Sequence, residues 1–129
     1  MIMEKLKVVV VDDSIFILER IINFIAEVEN VEIVGMHRSA DEAIKSIESL
    51  KPDIAVIDIR LNDSSGIDVL RFLKKKHPDI ISIMITNYPS DQHKKLCYEL
   101  GADYFFEKSF EFHKIIDVIK RRLKEKKKP

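Results

Sequence analysis

Short β-branched runs that stop abruptly at a polar residue, each followed by an amphipathic stretch, constrain this chain more than any other feature. Leu6-Lys7-Val8-Val9-Val10-Val11 is nearly continuous in apolar character and ends at Asp12-Asp13. Ile54-Ala55-Val56-Ile57 ends at Asp58, Ile80 to Ile85 ends at Thr86, and Tyr104-Phe105-Phe106 ends at Lys108. Runs of this kind read as strands buried on both faces. Val31 to His37 is a further strand, alternating through Val31, Ile33 and Gly35.

The intervening stretches have helical spacing. Ser14 to Ala26 carries Ile15, Leu18, Ile21, Ile22 and Ile25 on one side, with Ser14 as N-cap. Ser39-Ala40-Asp41-Glu42 is a capping box that opens a helix through about Leu50, broken by Pro52-Asp53. After the loop Asn62-Asp63-Ser64-Ser65-Gly66, Ile67 to Lys76 is a helix with Ile67, Leu70 and Leu73 inward, closed by a turn at His77-Pro78-Asp79. Asp91 to Leu100 is a short helix followed by Gly101 in the C′ position. Glu111 to about Lys124 is the last, with Ile115, Ile116 and Ile119 on one side, and the terminal Lys-Lys-Lys-Pro is expected to fray.

Strands alternating with helices predict a parallel sheet covered on both faces. Right-handed crossovers then favour a doubly wound five-stranded α/β fold of order 2-1-3-4-5. At 129 residues the chain is one domain's worth, read as 1–129 with a core of about 5–124 and a basic tail at 125–129. The lone Cys97 leaves no intramolecular disulfide or cysteine-rich zinc site and suggests a reducing, cytoplasmic setting. No apolar run approaches the ~20 residues of a membrane span, and no signal peptide is evident. With three glycines there is no phosphate cradle of the G-x-G-x-x-G kind. A formal net charge of +0 argues against a wholly basic nucleic-acid binder, although Lys114 to Pro129 holds eight basic residues against two acids. Those eight also suit a solvated helix end that complements the helix dipole.

The chemistry gathers where the strands stop. In the 2-1-3-4-5 order, Asp12, Asp13, Asp58, Thr86 and Lys108 all fall at the carboxyl ends of neighbouring strands, at the crevice where such sheets bind ligands. Three converging carboxylates repel; one takes up a proton or a cation sits among them. An oxygen-only set suits a hard divalent ion, Mg²⁺ above all. A cation, a lysine and a hydroxyl together can hold a phosphoryl group, and a free carboxylate can accept it as an acyl phosphate. Taken singly, Asp12 and Asp13 also fit a strand-ending turn. Asp63 and Asp68 read as loop and helix-surface residues, His37, His77, His93 and His113 as surface or turn residues, and Cys97 as a helix residue without a redox role.

Together these residues resemble the receiver domain of bacterial two-component response regulators. Val-Val-Val-Asp12-Asp13-Ser14, Ile-Asp58-Ile-Arg-Leu reaching Gly66, Thr86, and Gly101-Ala-Asp-Tyr-Phe-Phe-Glu-Lys108 carry the resemblance from Lys7 to about Lys124. It implies a flavodoxin-like receiver fold with Asp58 as phosphoacceptor. Asp12, Asp13, Asp58 and the Arg60 backbone carbonyl would be Mg²⁺ ligands, and Thr86 and Lys108 would bind phosphoryl oxygens. Phe105 would be a switch aromatic coupled to Thr86. Arg60 and Tyr88, two residues beyond Asp58 and Thr86, would flank the phosphoryl group and tune its lifetime. The chain departs from the family at Ser109, where a proline in a cis bond is common; without proline such a bond costs ~2.5–4 kcal/mol. It departs also at Asn62, Asn87 and Phe105.

The resemblance implies a signalling module rather than an enzyme with turnover. A histidine kinase or phosphotransfer protein would donate. A downstream protein would read the face made by Lys94, Lys95 and Tyr98 of the fourth predicted helix, Phe105, and the basic last helix, through a population shift. No output domain is visible in the chain, and a phosphorylation-dependent dimer is one form that output can take. Two other readings fit parts of the pattern. A Mg²⁺-dependent phosphatase with an aspartyl nucleophile would want a second acid where Arg60 stands. A nucleic-acid module using the basic helix would want interleaved aromatics.

Overall fold

The computed structural model describes residues 4–62 and 64–127. Among them strands and helices alternate strictly: β1 (Leu6–Val11), α1 (Ile15–Ala26), β2 (Val31–His37), α2 (Ala40–Leu50), β3 (Ile54–Asp58), α3 (Gly66–Lys76), β4 (Ile81–Thr86), α4 (Asp91–Glu99), β5 (Tyr104–Glu107) and α5 (Phe112–Lys127). The strands form one parallel sheet in the order β2-β1-β3-β4-β5, as expected from the alternation.

Each central strand divides its apolar residues between two cores. Val9 and Val11 of β1, Ala55 and Ile57 of β3, and Met84 of β4 pack with Ala43, Ile47, Leu70, Leu73 and Cys97 from α2, α3 and α4. Their neighbours Val8, Val10, Ile54, Val56, Ile83 and Ile85 face the other way, onto Leu18, Ile21, Ile25, Ile115 and Ile119 of α1 and α5. The period of two in a strand is what splits one run between two layers. Each Val, Leu, Ile or Met among them, taken wholly out of water, contributes about 1.5–3 kcal/mol before entropy is counted, so the three middle strands are the rigid base of the molecule.

Serines start four of the helices. Ser14, Ser39, Ser65 and Ser90 each accept a backbone N–H of the first turn, satisfying a donor that would otherwise lack a partner. Gly101 takes a positive φ of 99° just after α4, as its C′ placement predicts.

Three expectations are corrected. Ile15 is 53% exposed rather than inward, because the first turn of α1 stands beyond the end of β1 with no sheet beneath it. The last helix continues through Lys127 instead of stopping near Lys124. Glu125 pairs with Arg122 at 3.4 Å, and Lys126 reaches Asp53 at 3.4 Å, so part of the tail is anchored; Lys128 and Pro129 lie outside the described residues, as does Asp63. Val69 and Val118 are buried, while Ile67 and Ile116 are only half-buried. Cys97 is buried, and burial pushes its thiol up to about 11, which disfavours the reactive thiolate. None of the described helices is long and apolar enough to cross a membrane.

Candidate functional site

The loops that leave β1, β3, β4 and β5 open onto one edge of the sheet. Because β1 and β3 are paired in register, with Val11 opposite Ile57, the residues that follow them, Asp12 and Asp58, emerge side by side. Asp13 joins them, and ligating oxygens of the three carboxylates lie within 4.8 Å of one another. Among the described residues this is the group of His, Cys, Asp or Glu side chains so arranged that it could hold a metal ion; the four histidines are not drawn together.

Asp12, Asp58, Thr86 and Lys108 are all buried. Burial of charge requires partners, and each has some. The Lys108 ammonium lies 2.6 Å from Asp12 Oδ2 and donates to Asp58 Oδ2 at 2.9 Å. Asp12 Oδ1 accepts the Ser14 N–H at 2.8 Å, and Asp58 Oδ1 accepts the Arg60 N–H at 3.3 Å. Thr86 Oγ1 accepts the Tyr88 N–H at 3.1 Å, leaving its hydroxyl proton to donate elsewhere. Asp12 Oδ2 meets the ammonium off the hydrogen-bond axis and has no aligned donor.

The set is unbalanced, with one ammonium among three carboxyl groups. Burial pushes the Asp58 carboxyl up to about 6, and the Asp12 charge adds to this, while hydrogen bonds from Lys108 and Arg60 resist it. For Lys108, burial alone would lower the pKa; the close carboxylates of Asp12 and Asp58 outweigh it, and the net shift is upward. Excess negative charge in a buried oxygen-only pocket favours a hard divalent cation.

A cavity of about 170 Å³ opens beside these groups, lined by Asp13, Ser14, Asp58, Arg60, Thr86, Asn87, Tyr88 and Lys108. Arg60 and Tyr88 stand at its rim, with the guanidinium carbon 5.1 Å from the ring centroid. The sequence placed each beside the site; that they stack on each other comes only from the fold. In the sequence Gly66 ends both a loop and the motif that begins at Asp58. Its N–H donates to the Ile59 carbonyl at 2.9 Å, and a Cβ there would lie 2.0 Å from the Asp58 carbonyl oxygen. A glycine following an acid-ended strand is the signal that could have revealed this close approach.

Phe105 does not lie on the surface expected to meet a downstream partner. It is 5% exposed and packs in the core that contains Met84 and Cys97, because its register position opposite Met84 directs it into that layer. Lys94, Lys95 and Tyr98 are exposed as expected. No described peptide bond is cis, so the one between Lys108 and Ser109 is trans.

Comparison with known proteins places this geometry. Among curated relatives, the chain is 30% identical over 126 residues to a protein-glutamate methylesterase/protein-glutamine glutaminase of Bacillus subtilis, covering 92% of this chain and 35% of the relative. It is 32% identical over 122 residues to the sensory transduction protein LytT of Bacillus anthracis, covering 94% and 48%. The chain thus spans between about a third and a half of the length of these relatives. Among solved structures, a CheY-like response regulator receiver domain protein from Methanospirillum hungatei superposes with a TM-score of 0.85 at 27% identity, over 95% of this chain and 97% of that one. The model of the response regulator receiver domain matches residues 8–120; with nearly the whole chain inside that match, the protein belongs to the receiver domain family of response regulators.

Proposed function

We propose that this receiver domain accepts a phosphoryl group on Asp58 from a phosphohistidine of a histidine kinase or phosphotransfer protein in the cytoplasm. The observation that carries the reading is the buried Asp58 carboxylate, within 4.8 Å of Asp12 and Asp13 and bonded to Lys108 at 2.9 Å. An Asp58 oxygen attacks phosphorus, the P–N bond to the donor imidazole breaks with its electron pair passing to nitrogen, and an acyl phosphate forms. Lys108 and Thr86 line the same cavity as Asp58 and would bind the oxygens where charge gathers.

The oxygen-only donors and the unaligned Asp12 Oδ2 fit Mg²⁺. Asp12, Asp13, Asp58 and the Arg60 carbonyl would hold it, and it would neutralise phosphoryl oxygens when bound. Asp13→Ala is expected to weaken Mg²⁺ binding about tenfold or more, since one carboxylate facing the ion is lost. Titrating Mg²⁺ into both proteins checks this; equal affinities would remove Asp13 from the metal site.

The stacked Arg60 and Tyr88 at the rim support a shielding role against water. Tyr88→Ala and Arg60→Ala should each speed loss of the phosphoryl group by about threefold or more, the weight of one exposed cation–π contact. Unchanged hydrolysis rates in both variants would reject the shield.

Output would then pass through the exposed face of Lys94, Lys95, Tyr98 and α5, toward an acidic partner surface, with the domain itself performing no turnover on a small substrate. Exposure of the protein to acetyl phosphate and Mg²⁺ followed by intact mass measurement tests the central claim. One added phosphoryl group is the expected result, and an unchanged mass would reject it.

A further inference from the structure

Lys108 enters the pocket from a loop that has Ser109 where proline would stiffen it, and its tip residue, Phe110, is 76% exposed. Apolar packing therefore does not hold the tip of this loop. Hydrogen bonds hold its base. The Glu111 N–H donates to the Glu107 carbonyl at 2.9 Å, and the Glu107 N–H donates back to Glu111 Oε1 at 3.1 Å. The pair closes a ring of chain that contains Lys108. The Lys108 N–H is tied separately to the Thr86 carbonyl at 2.9 Å. The other Glu111 oxygen, Oε2, is held by Lys114 at 2.7 Å. That hydrogen bond, and then the one from Glu107, keep the Glu111 carboxyl below the usual carboxylate range, so it remains an ionised acceptor.

We propose that Glu111 is a positioning residue for Lys108: by accepting the Glu107 N–H it holds the loop that delivers the ammonium between Asp12 and Asp58. The inference builds on the phosphoryl-acceptor reading above. It has a particular signature, because Lys108 is a positive charge that attracts phosphoryl oxygens and repels a divalent cation. Loosening Lys108 weakens the anion and spares or strengthens the cation. General damage to the loop would weaken both ligands, since both need Asp58.

The test compares the full chain with Glu111→Ala, Glu111→Gln, Lys108→Ala and the Glu111→Ala/Lys108→Ala double variant. The probes are Mg²⁺ alone and beryllofluoride with Mg²⁺, a phosphoryl mimic. Glu111→Ala should weaken beryllofluoride about threefold to tenfold, the equilibrium weight of one hydrogen bond, without weakening Mg²⁺. Glu111→Gln keeps the acceptor oxygen and should bind as the parent does. In the Lys108→Ala background the Glu111 change should add nothing, as expected when one residue acts through another. Parallel loss of both ligands, the same loss in the Lys108→Ala background, or equal damage from Gln and Ala would each overturn the proposal. A second readout needs no phosphoryl mimic: the NMR signal of the buried Lys108 ammonium should persist in the parent and in Glu111→Gln and broaden in Glu111→Ala. If the parent takes up no beryllofluoride, the acceptor reading fails, and this signal alone decides the positioning role; an ammonium unchanged in Glu111→Ala rejects it.

Discussion

Asp58→Asn should form no acyl phosphate with acetyl phosphate and Mg²⁺, a loss of about 10³-fold or more in rate, because the attacking oxygen is replaced by an amide. Intact mass measurement reads this directly, and full phosphorylation of the variant at another residue would overturn the assignment. The same substitution should raise stability in the absence of metal. Burial and the Asp12 charge push the Asp58 carboxyl up to about 6 from an ordinary 3.8. Between those two values the unfolded chain has already released the proton and the folded chain still holds it. The parent therefore loses stability as pH rises through that window and stays lower above it. The deficit is on the order of 3 kcal/mol. Asparagine cannot ionise, so the variant should not show this fall. Urea unfolding in chelator at about pH 4 and about pH 8 separates the two curves. A variant no more stable than the parent at the higher pH would contradict the proposed burial penalty.

Gly66→Ala should be the most damaging small substitution in the molecule. An added Cβ would sit 2.0 Å from the Asp58 carbonyl oxygen, 2.8 Å from its carbon and 2.8 Å from Ile57 Cγ2. Two of these three atoms are backbone of a central strand, so neither can swing aside as a side-chain tip would. The loop after β3 must lift instead, breaking the bond from the Gly66 N–H to the Ile59 carbonyl and displacing Asp58. A cost of about 3–4 kcal/mol is expected, a large share of the 5–15 kcal/mol typical of a domain, with a fall in Tm of roughly 10 °C. Circular dichroism melts measure it; a fall of only about a degree or two would show that the loop relaxes freely.

The two predictions differ in how far the sequence alone leads to them. Asp58 was legible because an apolar run that stops at an acid is a local pattern, and the strand order then brings Asp12, Thr86 and Lys108 beside it. Gly66 was legible only as a glycine that follows an acid-ended strand, since nothing in Asn62-Asp63-Ser64-Ser65-Gly66 says which backbone the loop returns to. The same division holds elsewhere. Ser14 and Ser39 announced their helices through short-range capping patterns. Ile15 has the right spacing for the core yet is exposed, because spacing records the face of a helix and not whether a sheet lies beneath that turn. The end of α5 was placed too early: Lys124 to Lys127 are good helix formers, and Lys126 gains an anchor on Asp53, 73 positions away in the chain.

The sequence by itself determined the alternation of strands and helices, the order of the sheet, and the kinds of group brought to its carboxyl edge. These follow from period, turn chemistry and the handedness of crossovers, all of which act over a few residues or are general to L-polypeptides. Only the tertiary structure decided that Lys108 bridges Asp12 and Asp58, that Arg60 stacks on Tyr88, that Phe105 is buried, and that Glu111 clasps the lysine loop. Those contacts depend on loops being placed to within about an ångström, and that placement is set by packing among segments that no local pattern relates.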